Sequence, residues 1–592
     1  MPENILVCTA WPYANGDLHI GHLAGAYLPP DIFARYHRLK GHKVLMVSGA
    51  DSHGTPITLR ADAEGISPLE VFERYHLRFL QTFQDLGISY DLFTHTDTEN
   101  HFQVSQDIFT ACLENGYLFK KTEQQFYSES EDRFLPDRYI EGTCPICGYD
   151  SARGDQCDNC KNLLEPTDLI NPRSKIDGST PVLRETEHFY LDLAKASDEI
   201  LAFLNDNKDH WRANVINFSR QYVNEGLRGR PITRDLEWGI PIPLAGYESK
   251  RIYVWFEAVI GYFSASIEWA KNSGDPEAWK AWWYDPTAKT YYFIGKDNIP
   301  FHAVIWPGEL IAAGRRLYED DPAKQLNLPY DVPSNEYLNM EGKKLSTSRN
   351  WAIWAPDLLE RFDPDPIRFY LSFIAPESRD TDFTFEDFVR RNNDELVATW
   401  GNLVNRALGF AYKRYGGQVP ALGPEGLDEL DTAILAEVEA GFGRVGELLA
   451  AVKLKAALDE ALSLARSANV YIDRKAPWKA FKEDPVAAGT SIYVTLRVID
   501  NLKILLAPFL PHTCQQLHEY LGYDSHLFGR QLTQEFSETE RRHVALCYDG
   551  SQAEGRWLPS QLAPGQPLRE PQPLFKKLEP EVAAEELARL LH

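Results

Sequence analysis

No apolar run in this 592-residue sequence is long enough to span a bilayer. The most apolar late stretch, Ile504 to Leu510, contains Pro508 and falls far short of the ~20 residues a membrane helix needs. The N-terminus, Met-Pro-Glu-Asn, has no basic segment leading into an apolar one, so no secretory signal is read there. Positive charge is scarce too: 61 Lys plus Arg stand against 86 Asp plus Glu, a formal net charge of −25. That balance excludes indiscriminate binding to polyanions, but not one specific polyanion held by a local patch. A disulfide framework is also missing. Four of the eight cysteines fall between Cys144 and Cys160, while Cys8, Cys112, Cys514 and Cys547 stand alone. This pattern points to a reducing compartment, the cytoplasm, and to one metal site. Internal repeats and coiled-coil heptads are absent.

The length gives three to five domains at roughly 100–200 residues each. Ile5 to Ala10 is a short apolar run suited to a buried parallel strand, and Asn15-Gly16-Asp17 breaks it. A helical pattern follows, then a second apolar run, Val44 to Val47, that ends at Ser48-Gly49-Ala50-Asp51. Strand, polar loop, helix and strand make the βαβ unit of a nucleotide-binding sheet. From about residue 117 the chain turns to Gly-, Pro- and Cys-bearing loops, and strand-like runs return at Arg251–Trp255 and Thr290–Ile294. Beyond Phe385 helical periodicity takes over, and Glu579–Leu591 is a short amphipathic helix. The fold class is therefore α/β: a Rossmann-type, doubly wound parallel sheet split by an insertion and followed by an all-α helical bundle.

Cys144-x2-Cys147-x9-Cys157-x2-Cys160 presents two Cys-x-x-Cys knuckles. Four thiolates suit a closed, tetrahedral, structural Zn2+ site with no open ligand position. A redox dithiol would need only one pair.

Ala14-Asn15-Gly16-Asp17-Leu18-His19-Ile20-Gly21-His22 opens a helix directly after the first strand, where backbone N–H groups favour anions. His19 and His22 share one face, and Gly21 lets a flat group approach the backbone. Two structural capping histidines would show the same spacing. Far downstream, Gly342-Lys343-Lys344-Leu345-Ser346-Thr347-Ser348-Arg349 is a small, basic, hydroxyl-rich loop able to close over phosphates, or simply a solvated turn. Together the two elements resemble the paired signatures of class I aminoacyl-tRNA synthetases. His19–His22 matches the HIGH pattern fully. Lys344–Ser348 matches KMSKS except at Thr347, where a second lysine is usual, so Lys343 or Arg349 would have to supply that charge.

Two aromatic-rich segments, Tyr253 to Tyr262 and Phe293 to Trp306, suit either a buried core or a cage for a polarizable thioether. With the first two loops they resemble the methionyl members of the class over nearly the whole chain. That resemblance implies a methionine pocket of Trp11, Tyr13, Asp51, Trp255, Ala258, Tyr262, Phe301, His302 and Trp306, with Asp51 taking the ammonium group. Trp11 and Asn298 stand where aliphatic residues are more common. ATP would meet His19, Gly21, His22, Lys296, Asp297, Lys344, Ser346, Thr347 and Ser348, with His19, His22, Lys296 and Lys344 assisting catalysis and Mg2+ carried by the nucleotide. Asn402, Arg406 and Trp478 would read the anticodon of tRNA(Met).

The domains implied are 1–115 and 231–333 for the two catalytic halves, 116–230 for the zinc-knuckle insertion and 334–385 for the KMSKS region. A helical anticodon domain would follow at 386–540 and a tail at 541–592. A cysteine-activating relative and a zinc-bearing RNA-binding protein without catalysis are the alternatives. No C-terminal dimerising domain is read, so a monomer is expected.

Overall fold

The computed structural model describes residues 2–590, apart from 155, 156, 158, 161, 163, 165, 315, 316, 322 and 347–350. Strand β1 (Asn4–Thr9) is buried from Ile5 onward, the pattern of a strand covered on both faces. It pairs in parallel with β2 (Lys43–Ala50) on one side and β4 (Lys289–Gly295) on the other. Strand β3 (Leu92–His95) extends the sheet beyond β2, and β5 (Ser334–Asn335) extends it beyond β4, again in parallel. Alternation along β1 divides the core. Ile5 and Val7 pack against the helices Leu28–Leu39 and Pro68–Leu86. Leu6 and Cys8 face the other layer, built from Glu99–Glu114 and Val254–Asn272. This is the doubly wound arrangement, with ligand-binding loops at the carboxyl ends of the strands.

Between β3 and β4 lies the insertion. Leu118–Ser128 pairs antiparallel with Val182–Leu191, and a small sheet of Ile140–Thr143, Ala152–Arg153 and Ile170–Ser174 carries the cysteines. The expected strand at Arg251–Trp255 is only Arg251–Ile252, because Val254 begins a 19-residue helix. Most of that helix is buried, which blurs the helical period in its sequence.

The bundle consists chiefly of helices Asn402–Arg414, Glu429–Ala450, Leu454–Lys475, Pro485–Leu506 and Pro511–Tyr520. Its core is continuous with one face of the parallel sheet. At the junction Arg368, fully buried, pairs with Asp31 at 2.7 Å and donates to the carbonyls of Pro508 and Phe509. The chain then returns to the sheet. Strands β6 (Arg530–Ser537) and β7 (Arg542–Asp549) form a hairpin, and β7 joins β3 antiparallel, giving the order β5-β4-β1-β2-β3-β7-β6. The boundary expected at residue 540 falls inside this hairpin, which belongs by pairing to the parallel sheet. The final helix, Glu581–Leu590, packs on Phe385–Arg391, and its Glu586 pairs with Arg361. Among the described residues no helix is long and apolar enough to cross a membrane.

Candidate active site

The loop after β1 turns into a helix at His19, whose extended backbone makes it the N-cap. His19 Nδ1 accepts from the backbone N–H of Gly21 at 3.1 Å and of His22 at 3.4 Å. His22 Nδ1 in turn accepts from the His19 N–H at 3.3 Å. The pair is a capping box built from two imidazoles, with the rings stacked at 3.7 Å. Burial holds His19 well below the usual histidine range and brings His22 down to about 4, so both rings are neutral at pH 7. A neutral ring whose Nδ1 accepts carries its proton on Nε2. The capping role and the phosphate-donor role are thus compatible: capping fixes the tautomer, and each Nε2–H is left as a donor.

Gly21 has a reason beyond ligand access. A Cβ there would lie 2.7 Å from Leu345 Cδ1 and 3.0 Å from the His19 ring, so the glycine lets the downstream loop seat on the helix. That loop is further tied down where Trp354 bridges His19 and Ala355 N–H donates to the Leu18 carbonyl. Lys343 and Lys344 form a short strand on Leu338–Met340, and their side chains alternate. Lys344 lines the cavity, whereas Lys343 sits over the Trp351 ring at 4.8 Å. In this conformation Lys343 does not supply the charge missing at Thr347. Ser346 bridges Trp351; Thr347, Ser348 and Arg349 lie outside the described residues.

A cavity of about 990 Å³ runs from these histidines to the aromatic segments. Trp11, Tyr13, Asp51, Trp255, Ala258, Tyr262, Phe301 and His302 all line it, as do Gly21, Asp297 and Lys344. Trp255 stacks on Phe301 at 4.5 Å, and Tyr13 meets Trp255 edge-on. His302 is kept neutral by burial, which lowers it to about 4. Its Nδ1–H donates to the Asn298 carbonyl at 3.0 Å, so Nε2 accepts from the Tyr262 hydroxyl at 2.7 Å. These groups give that part of the wall no formal charge, the environment an uncharged, polarizable side chain prefers. Arg60, Tyr337, Asn339 and Trp354 also line the cavity, and sequence reading missed them. The Asn339 Oδ1 is buried without a partner, an acceptor open to a ligand donor.

Three expected residues stand elsewhere. Ser346 is held against Trp351 and does not line the cavity. Trp306 does not line the cavity: its indole is fully buried, donates to the Tyr292 hydroxyl at 3.1 Å and packs edge-on against Trp283. Lys296 is drawn away by two carboxylates, Glu336 at 2.7 Å and Asp380 at 3.0 Å. Asp297, its neighbour, faces the cavity and accepts from the Tyr337 hydroxyl.

Asp51, at the carboxyl end of β2, is buried, and among the described residues no Lys or Arg pairs with it. Burial and the nearby Glu257 charge push its carboxyl up to about 8. A substrate ammonium group would relieve that strain by stabilising the ionised form. Beneath it, His53 Nδ1 meets Glu257 at 2.9 Å and His101 Nε2 meets the same carboxylate at 3.2 Å. Burial opposes protonation of His53, but Glu257 and Asp97 outweigh it and push the ring up to about 10. Neither His53 nor Glu257 was singled out from sequence, since each sits within a segment read for its neighbour.

The Sγ atoms of Cys144, Cys147, Cys157 and Cys160 all lie within 4.8 Å of one another. Cys144–Cys160 and Cys147–Cys157 are 3.8 and 3.6 Å apart. Tetrahedral Zn–S bonds of ~2.3 Å require edges of about 3.8 Å, so the four thiols fit that ion. Asn162 Nδ2 donates to Cys160 Sγ at 3.3 Å, and Gly148, at φ +73°, closes the first knuckle.

In the bundle the Arg406 guanidinium lies 4.2 Å over the Trp478 ring and pairs with Asp473 at 2.7 Å. Asn402 is exposed one turn earlier on the Arg406 helix, and Trp478 is half-buried just beyond the left-handed Ala476. The stacked pair is a platform on which an unpaired base could extend.

Comparison with known proteins agrees with this arrangement. The family model for class I tRNA synthetases (M) matches residues 5–408, and that for the anticodon binding domain of methionyl tRNA ligase matches 419–546. The methionine–tRNA ligase of Thermomicrobium roseum is 58% identical over 100% of this chain and 99% of its own length. That of Chloroflexus aggregans is 55% identical with the same coverage. The crystal structure of Mycobacterium tuberculosis methionyl-tRNA synthetase bound by methionyl-adenylate superposes with a TM-score of 0.74 at 24% identity, covering 97% of this chain and 100% of that one. Motifs, fold and full-length likeness converge: the chain belongs to the methionyl-tRNA synthetase family of class I aminoacyl-tRNA synthetases.

Proposed function

We propose that this chain activates L-methionine with ATP, forming methionyl-adenylate and diphosphate, and then transfers methionine to the 3′ end of tRNA(Met) for translation initiation and elongation. The observation that carries this reading is a single cavity with phosphate donors at one end and an aromatic, largely uncharged wall with one buried carboxylate at the other. The methionine carboxylate attacks the α-phosphorus, the bond to the bridging oxygen breaks and diphosphate leaves. No protein nucleophile is needed, because the attacking oxygen is already ionised at neutral pH. His19 and His22, as neutral Nε2–H donors, stabilise negative charge growing on the α-phosphate oxygens, and Lys344 balances the departing diphosphate. Mg2+ would come with the nucleotide and supply positive charge for its phosphates. Asp51 orients the substrate through its ammonium group, and the Tyr262–His302 pair excludes charged side chains.

Cys144, Cys147, Cys157 and Cys160 would hold one structural Zn2+, because four thiolates leave it no open position. Asn402, Arg406 and Trp478 would contact the anticodon by stacking and base-edge bonds. A cysteine-activating enzyme that selects its substrate with a catalytic zinc is disfavoured, since these four thiols are saturated and local. We further infer a cytoplasmic monomer: the apolar side of the last helix, including Val582 and Leu590, is taken up within the chain. Light scattering tests the assembly. Amino-acid-dependent ATP–diphosphate exchange, run with methionine and cysteine in parallel, tests the reaction. Methionine-specific exchange supports it, and none with either amino acid from zinc-loaded protein overturns it.

A further inference from the structure

The loop that carries Asp51 is braced from four directions, and the outermost brace comes from the far end of the chain. Ser52 N–H donates to Thr96 Oγ1 at 2.9 Å, and Asp97 N–H donates to Ser52 Oγ at 3.1 Å, joining the loops after β2 and β3. Trp238 Nε1 donates to the Ser52 carbonyl at 2.6 Å from the returning insertion. His53 reaches Glu257, on the first turn of the helix that also carries Trp255, Ala258 and Tyr262. The other ring nitrogen of His53 faces Asp97 at 3.6 Å. Asp97 in turn is held by Arg541, at 2.5 Å, and the Arg541 guanidinium lies 4.8 Å over the Phe102 ring.

Arg541 belongs to the turn between β6 and β7, which is clamped at both ends. The Glu538 carboxylate accepts from the N–H groups of Glu99 and Asn100 at the start of the helix behind the site. The Glu99 carboxylate accepts from those of Thr539 and Glu540. Arg541, Asp97, His53 and Glu257 therefore alternate in charge along one line that ends beside Asp51. Removing a charge at one end changes how firmly the next group is held, because Asp97, His53 and Glu257 are buried and poorly screened, with Arg541 closing the line at the surface.

We propose that Arg541, through Asp97 and His53, is a positioning residue for the substrate ammonium group at Asp51, so that the hairpin following the helical bundle is part of the amino-acid subsite. This rests on the proposed methionine activation. Arg541 touches neither cavity nor nucleotide; it fixes the Asp97 carboxylate that, with Glu257, keeps His53 charged and in register between the Asp51 loop and the pocket helix.

The test is steady-state ATP–diphosphate exchange by the full-length, zinc-loaded protein carrying Arg541→Ala, Arg541→Lys or Asp97→Asn. Arg541 is 42% exposed along its side chain, so its truncation leaves the core filled. Arg541→Ala should raise KM for methionine roughly five- to tenfold, the scale of one net hydrogen bond lost at a partly exposed site, with KM for ATP within about twofold of the parent. Arg541→Lys should recover most of the loss. Asp97→Asn should reproduce the split, and combining it with Arg541→Ala should add little. Unchanged KM for methionine, or equal rises for both substrates, would overturn the inference. Absence of exchange in the parent protein would instead count against the proposed function itself.

Discussion

Trp11 and Gly49 share one volume: a Cβ on Gly49 would come within 2.2 Å of the Trp11 ring. Gly261, on the pocket helix, flanks the same indole, and a Cβ there would approach it to 2.6 Å. The bulky residue at this position is thus matched by two glycines on opposing elements. Gly261→Ala, whose Cβ would have Trp11 ring atoms as its three nearest neighbours, should destabilise the protein by about 1–3 kcal/mol, the usual range for overpacking. Trp11→Leu in the same chain should restore much of that stability. Denaturant unfolding of the three variants checks the pairing; additive losses would show that the indole and the glycine are independent.

His22→Ala should lower the exchange rate constant roughly 10²–10³-fold, as expected when one donor to developing phosphate charge is removed. KM for methionine should move little, because the amino-acid subsite is built from other residues. The histidines also fix a pH dependence. Their folded pKa values lie below the ordinary 6.5, so the unfolded chain takes up protons first. Their contribution to stability is complete above pH 6.5 and is lost as pH falls toward about 4. Unfolding free energy measured across that window should fall more steeply for the parent than for a His22→Gln variant.

Asp51 works in the opposite sense. Its carboxyl is raised from 3.8 to about 8, so the folded, ligand-free protein binds the extra proton and loses stability as pH rises between those values. Asp51→Asn should therefore raise the thermal midpoint of the ligand-free protein more at pH 8.5 than at pH 5, while abolishing methionine-dependent exchange. Equal shifts at both values would mean that the carboxyl is already ionised at the lower one.

Cys157→Ser should reduce bound metal from one ion per chain toward none, measured by atomic emission, and lower the thermal midpoint. The effect should concentrate in the insertion, because a small three-stranded sheet and a minor core cluster hold it together otherwise.

Trp478→Ala should weaken tRNA charging while exchange stays nearly intact. The Trp478 ring lies under Arg406, so Arg406→Ala should reproduce the defect, and the double variant should lose less than the sum. Equal damage to exchange and charging would contradict an anticodon role.

Much of this site was legible in the sequence, for reasons that differ by element. The two histidines and Gly21 could be read because a capping box needs close local spacing. The four cysteines could be read because a tetrahedral thiolate site needs two closely spaced pairs, a pattern local to the sequence. Other features depend on contacts between distant segments and leave no local trace. Lys296 is turned from the cavity by Glu336 and Asp380, one 40 and the other 84 positions away. Val254 and Trp255 read as the end of a strand-like run, because the helix they begin is buried along most of its length and shows little polar face. The hairpin 530–549 alternates weakly, since β6 is mostly exposed and only β7 carries a buried face. The charge balance is informative only locally: residues 390–480 hold 12 Lys plus Arg and 12 Asp plus Glu, so the acidic excess lies away from the anticodon candidates.

The hairpin also sets an order of events during synthesis. The open edge of β3 is finished by residue 95, but its partner strand begins only at Arg542, after the whole bundle. At the ~5–20 residues per second of translation, that edge waits on the order of a minute, exposed to other chains. Newly made protein should thus be most prone to aggregate just before β7 emerges, and any truncation that keeps the bundle but drops β7 should be insoluble although both signature motifs remain intact.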